Sequence, residues 1–194
     1  MIAILGYGSL VWDLADLAPQ VVGSWAIAAG PALPVEFSRI SPKRKMGLVL
    51  CLDPEHGVPC KTHAIVSRRD RVDAAADDLA RRERAPSDRI GRVSMRHGQI
   101  LTRHAPIGAR VQAWCQAGGW QGAVWTELEA NFAAHTGRAF SISAALAYLQ
   151  GLRGASLDEA VRYIENAPAE TDTDLRRALS GCAWWQSARR SLGP

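Results

Sequence analysis

The sequence has no apolar run approaching the ~18 residues that a membrane-spanning helix requires. Its first residues lack a basic start, and their short apolar stretch is interrupted by glycines and a tyrosine, which makes a poor secretory signal. The expectation is a cytoplasmic protein without membrane contact. Cysteine is also sparse: Cys51, Cys60, Cys115 and Cys182 are scattered, unlike the dense framework of a small secreted domain, so reduced thiols are expected. Neither repeats nor low-complexity tracts occur. Charge of one sign is nearly absent as an excess, with 23 Lys and Arg against 19 Asp and Glu, a net +4. The surplus arginines are spread through the chain and not interleaved with aromatics, so no nucleic-acid partner is expected; attraction to small anionic substrates accounts equally well for the balance.

At 194 residues and 47% apolar, the chain is long enough for one domain with an extension and a sizeable core. Ile2 to Leu10 reads as a buried strand running into a glycine turn. Val35–Ser41 alternates as a half-buried strand does, Gly47–Leu52 is a second apolar run, and Thr62–Val66 a third. A helix is expected after Ser67, which with Asp70 resembles a capping box; its inward stripe is Val72, Ala76 and Leu79, and Pro86 closes it. Further strands are expected near 98–103 and 110–115. Beyond Gly118-Gly119, helices are expected at 123–135, 142–149, 157–166 and 174–189, with Ser156 and Glu159 as another capping pattern. Strands early and helices late make an α+β arrangement. The domains expected are 1–117 and a helical C-terminal extension, 118–194.

Gly6-Tyr7-Gly8-Ser9-Leu10 can bring main-chain N–H groups close to a ligand. A dinucleotide fingerprint would need a small residue where Val11 stands and a helix starting at once, which Trp12-Asp13 and Pro19 oppose. A purely structural turn stays open. Glu83, four residues after Leu79, either continues the inward stripe as a general acid/base or frays into solvent near Pro86. Burial raises a carboxyl pKa, which suits proton transfer. Neighbouring Arg82 and Arg84 are expected to point elsewhere, because adjacent helical positions do not face each other. Cys51, His56, Cys60 and His63 have metal-binding chemistry without paired ligand spacing. Ser9 is not in a nucleophile elbow. Trp184-Trp185 could serve the core or an interface.

These positions resemble the γ-glutamylcyclotransferase-like family, nearest its ChaC branch. Tyr7-Gly8-Ser9-Leu10 followed by Val11-Trp12 is similar to the family's opening motif. Gly47-Leu48-Val49-Leu50-Cys51-Leu52 is similar to a branch strand, with Ser38 placed upstream, and Leu79-Ala80-Arg81-Arg82-Glu83 resembles the stretch carrying the catalytic glutamate. Val111-Gln112-Ala113-Trp114 resembles a late barrel strand. The likeness covers residues 1 to 115. It departs at Arg84-Ala85-Pro86-Ser87, where relatives have Gly-Tyr, at Ser41-Pro42-Lys43-Arg44, and through the helical last third, which bears on glutathione specificity.

The resemblance implies a small closed β-barrel flanked by helices, with a helical C-terminal third and no cofactor or metal. It implies conversion of a γ-glutamyl peptide or amine, glutathione among the candidates, into 5-oxoproline and a released amine. Glu83 would be the general acid/base, and Tyr7, Gly8, Ser9 and Leu10 would bind the glutamyl group. Arg39, if it points into the barrel, would attract a substrate carboxylate. The alternatives are a non-catalytic γ-glutamyl or small-molecule binding module and a dinucleotide-binding oxidoreductase. The tail would either cover the barrel mouth or form a homodimer contact.

Overall fold

A computed structural model describes residues 1–193. Nine strands occur in order β1 (Ile2–Gly6), β2 (Val21–Ala26), β3 (Ala32–Ser41), β4 (Gly47–Leu52), β5 (Val58–Lys61), β6 (His63–Ser67), β7 (Ile90–Ser94), β8 (Gln99–Leu101) and β9 (Gly122–Thr126). The helices are α1 (Val72–Glu83), α2 (Ala105–Gly118), α3 (Phe132–Thr136), α4 (Ile142–Gly151), α5 (Ala155–Glu165), α6 (Asp174–Ser180) and α7 (Ala183–Ser191). The architecture is mixed α+β. No helix among the described residues is long and apolar enough to cross a membrane.

The chain divides into two compact units that interleave in sequence. The first comprises Met1–Leu33 and Lys61–Leu128; the second comprises Pro34–Cys60 and the chain from Glu129 onward.

In the first unit, six strands lie in the order β2-β6-β1-β9-β7-β8. β1 and β9 are parallel, pairing Ile2 with Gly122 and Ile4 with Val124, whereas β1 and β6 run antiparallel and pair Gly6 with His63. Every residue of β1 is buried, as a central strand covered on both faces requires. α1 packs against β9, β7 and β1. Its Ala75, Ala76 and Leu79 are fully enclosed with Ile2, Ile4, Leu10, Leu17, Ile65 and Val124. Burying each of the larger aliphatic side chains contributes about 1.5–3 kcal/mol. Leu10 and Leu79 therefore tie the N-terminal turn and the helix into one core.

The second unit holds the three-stranded sheet β4-β3-β5 with α3 to α7. β4 packs against α5 and is buried along its whole length. Phe37 meets Tyr163 edge-on, and the Trp185 indole donates to Glu165 at 2.8 Å. Adjacent Trp184 lies edge-on to Trp185.

The expected closed barrel is overturned: neither sheet closes. The larger sheet ends at β2 and β8, and β3, β4 and β5 pair in a sheet of their own. The segment resembling a late barrel strand, Val111 to Trp114, is helical. Ile107, Gly108, Val111 and Cys115 form a 3.6-residue stripe, Pro106 sits in the opening turn, and Gly119 closes α2 in the left-handed region. Conversely, the helix expected from residue 123 begins as strand β9. Its Gly-Ala-Val-Trp run is buried on both faces and so shows no alternation. The expected long helix at 174–189 is two, broken at Gly181 and Cys182. Neither capping box forms. Arg71 and Gly154 occupy the N-cap positions, and Ser67 Oγ instead accepts from the Arg69 N–H.

Candidate functional site

The turn after β1 is built at the end of the first sheet where several chain segments converge. The register brings Gly6 beside His63 and Ile90 beside Thr126, so β1 and β9 finish together where β6 and β7 begin. Tyr7 is extended, and its hydroxyl donates to the Thr126 carbonyl, joining the ends of the two parallel strands. Gly8 then takes φ +63°, a left-handed conformation that costs glycine little. A tight 3-10 turn follows over Gly8–Val11. The Ser9 carbonyl accepts from the Asp13 N–H at 2.9 Å, while Leu10 anchors the turn in the core. No α-helix opens on the turn, unlike a dinucleotide-binding βα junction.

Gly6 is required by a neighbour. A β-carbon there would lie 2.4 Å from the ring of Trp25 on β2. The buried Trp25 Nε1 has no hydrogen-bond partner among the described residues. This close approach of the Trp25 ring to Gly6 was not anticipated from the sequence.

Glu83 closes α1. Its side chain is 15% exposed and pairs with Arg82 at 3.0 Å, Nη1 to Oε1. A carboxylate in the last helical turn opposes the helix dipole, a cost that the Arg82 guanidinium offsets. Arg82 is itself buried, and its Nη2 donates to the Asp13 carbonyl. One guanidinium thus joins Glu83 to Asp13, whose own N–H is held by Ser9. The expectation that Arg82 points away from Glu83 is corrected. At a helix end the long arginine side chain folds back far enough to engage its neighbour. Arg84 adopts φ +53° and caps the helix through bonds to Ala80 and Arg81, ending it directly after Glu83.

The structure thus brings Tyr7, Gly8, Ser9, Leu10 and Glu83 into one unit, linked through Arg82. Arg39 belongs to the other unit. It is half-buried on β3, and its Nη1 donates to the Glu129 carbonyl at 2.6 Å. With no closed barrel, it has no barrel interior to enter.

Ser38, also in the second unit, is fully buried. Its hydroxyl donates to Asp53 at 2.6 Å and lies 3.3 Å from Cys51 Sγ. His56 Nδ1 is 3.5 Å from Asp53. Asp53 therefore stands between serine and imidazole, so this is a buried polar network and not a nucleophile–base pair. Burial pushes the Cys51 thiol up to about 12. His63 accepts the Ala28 N–H. Among the described residues, no group of three or more His, Cys, Asp or Glu side chains is placed to hold a metal ion. Comparison with family models, with curated proteins and with solved structures gives no match.

Proposed function

We propose that this protein is a γ-glutamylcyclotransferase-like enzyme acting on a small γ-glutamyl peptide or amine. The carrying observation is the hydrogen-bonded chain from Glu83 through Arg82 to Asp13 and Ser9, which ties a half-buried carboxylate to a glycine turn. The sequence likeness at Tyr7–Leu10 and at Leu79–Glu83 supports the same reading.

The substrate's own α-amine attacks its γ-carbonyl carbon, forming the ring N–C bond. The bond from that carbon to the leaving nitrogen then breaks. Main-chain N–H groups of the Tyr7–Leu10 turn hold the glutamyl moiety and steady the developing oxyanion. Holding the glutamyl arm folded turns the attack into a favoured intramolecular step. Glu83 takes the proton lost by the α-amine and returns it to the departing amine, so proton and charge balance over the cycle. Arg82 fixes the carboxylate's orientation. The products are 5-oxoproline and the free amine, without a redox step.

The test is to incubate the purified protein with glutathione and a panel of γ-glutamyl amino acids and amines, and to assay 5-oxoproline. Formation from at least one of them is expected. No product from any would overturn the assignment. Tight binding of a γ-glutamyl compound without turnover would replace it with a binding module.

A further inference from the structure

The first unit contains a concavity away from the glycine turn. A pocket of about 550 Å³ opens beside Ile2 at the start of β1 and Val72 at the start of α1. The glycine turn and Glu83 lie at the opposite ends of those elements. The twelve residues of α1 alone separate its two ends by about 18 Å. The volume suits a small organic ligand.

The wall chemistry is selective. Arg71, Arg92 and Arg96 present three guanidinium groups, with His97 beside them on the turn after β7. Arg92 rises from β7, and its buried Nε, without a hydrogen bond, forms an ion pair with Asp73 Oδ1 at 3.5 Å. Among the described residues, no hydrogen bond or ion pair engages the side chains of Arg71 or Arg96. Three arginines line the pocket against two carboxylates, Asp70 and Asp73, of which Asp73 pairs with Arg92; the guanidinium groups of Arg71 and Arg96 left over favour an oxyanion with several acceptor oxygens. Trp120 also lines the pocket and is backed by Trp114, with ring centroids 5.4 Å apart and planes inclined by 19°. A tryptophan stiffened in this way is a stacking platform for a flat ring. Val72 supplies apolar surface, and Asp70 adds an acceptor for hydroxyl groups.

We infer that this pocket binds a small phosphate monoester carrying a flat ring, with the size and chemistry of a nucleoside monophosphate. The phosphate meets Arg71 and Arg96, the ring lies against Trp120, and Asp70 receives sugar hydroxyls. Nothing in this arrangement uses Glu83 or the glycine turn, so the inference goes beyond the proposed activity and does not depend on it.

The experiment is isothermal titration of the purified full chain with AMP, adenosine and inorganic phosphate as probes. AMP is expected to bind one per chain, with adenosine and phosphate each at least about tenfold weaker because each keeps only part of the contacts. Arg96→Ala removes a charge from a surface turn and should weaken AMP by about tenfold while leaving adenosine unchanged. Trp120→Leu should weaken both AMP and adenosine. A saturating γ-glutamyl amino acid should not displace AMP. Absence of AMP binding, equal binding of AMP and adenosine, an Arg96→Ala variant that binds AMP as wild type does, or displacement by the γ-glutamyl compound would each overturn the inference.

Discussion

Glu83 and Glu36 show how differently two enclosed carboxylates are treated. Glu83 is held by an arginine that also grips the neighbouring turn. Glu36 is fully buried in the second unit and accepts main-chain N–H groups of Phe37 at 2.7 Å and Leu175 at 3.2 Å. Loss of hydration raises the Glu36 pKa above its ordinary 4.5, and bonds from Phe37, Thr173 and Leu175 only partly oppose the rise. A carboxyl with a raised folded pKa binds more protons folded than unfolded. Below 4.5 both states are protonated and the group costs nothing; as pH rises through that value the unfolded chain ionises first and stability falls, until the folded pKa is passed. Urea unfolding of wild type and Glu36→Gln across this range should therefore diverge, the wild type losing stability relative to the variant as pH rises. Parallel profiles would show that Glu36 ionises alike in both states. The burial of Glu36 was hidden in the sequence. Alternation places Val35, Phe37 and Arg39 on one face and Glu36, Ser38 and Ile40 on the other, and only the tertiary fold buries both.

At the scale of elements, helix α1 was legible because Val72, Ala76 and Leu79 repeat at helical spacing, and it ends at Glu83. Its stop signal was not legible. The closing residue is Arg84 in a left-handed conformation that glycine would adopt with less strain. Arg84→Gly should stabilise the protein by roughly 0.5–1 kcal/mol, seen as a higher melting temperature. A lower one would mean that Arg84 makes contacts outweighing its backbone strain. β4 and α5 were likewise readable from apolar runs and spacing. α2 and β9 were exchanged for each other's class. Val111 and Cys115 fit either period over so short a window, and a central strand such as Gly122–Thr126 lacks the alternation that identifies strands.

For the whole molecule, mixed α+β character followed from strands early and helices late, while closure of a barrel did not. Closure depends on which strands pair, and β9 returns from far along the sequence to lie beside β1. The turn at Tyr7–Leu10 and the helix end at Glu83 could be singled out from sequence. Arg82 as the link between them could not, because it depends on Asp13 arriving beside the end of α1. Thiol accessibility reports on the cores of both units. Cys51, Cys60 and Cys115 are buried and raised in pKa by that burial, whereas Cys182 is half-buried. Titration with a disulfide reagent should label Cys182 in the native protein and the other three only on unfolding. Rapid native labelling of Cys115 or Cys51 would contradict the packing described.

The central claim is that Glu83 moves the proton in γ-glutamyl cyclisation at the Tyr7–Leu10 turn. The most direct measurement is 5-oxoproline formation by wild type and Glu83→Gln on the best substrate of the γ-glutamyl panel, with circular dichroism recorded on both. Expected are turnover by wild type, a loss of about 100-fold or more in kcat for the variant, and superimposable spectra. Turnover by Glu83→Gln equal to wild type, or no 5-oxoproline from the wild type on any member of the panel, would contradict the claim.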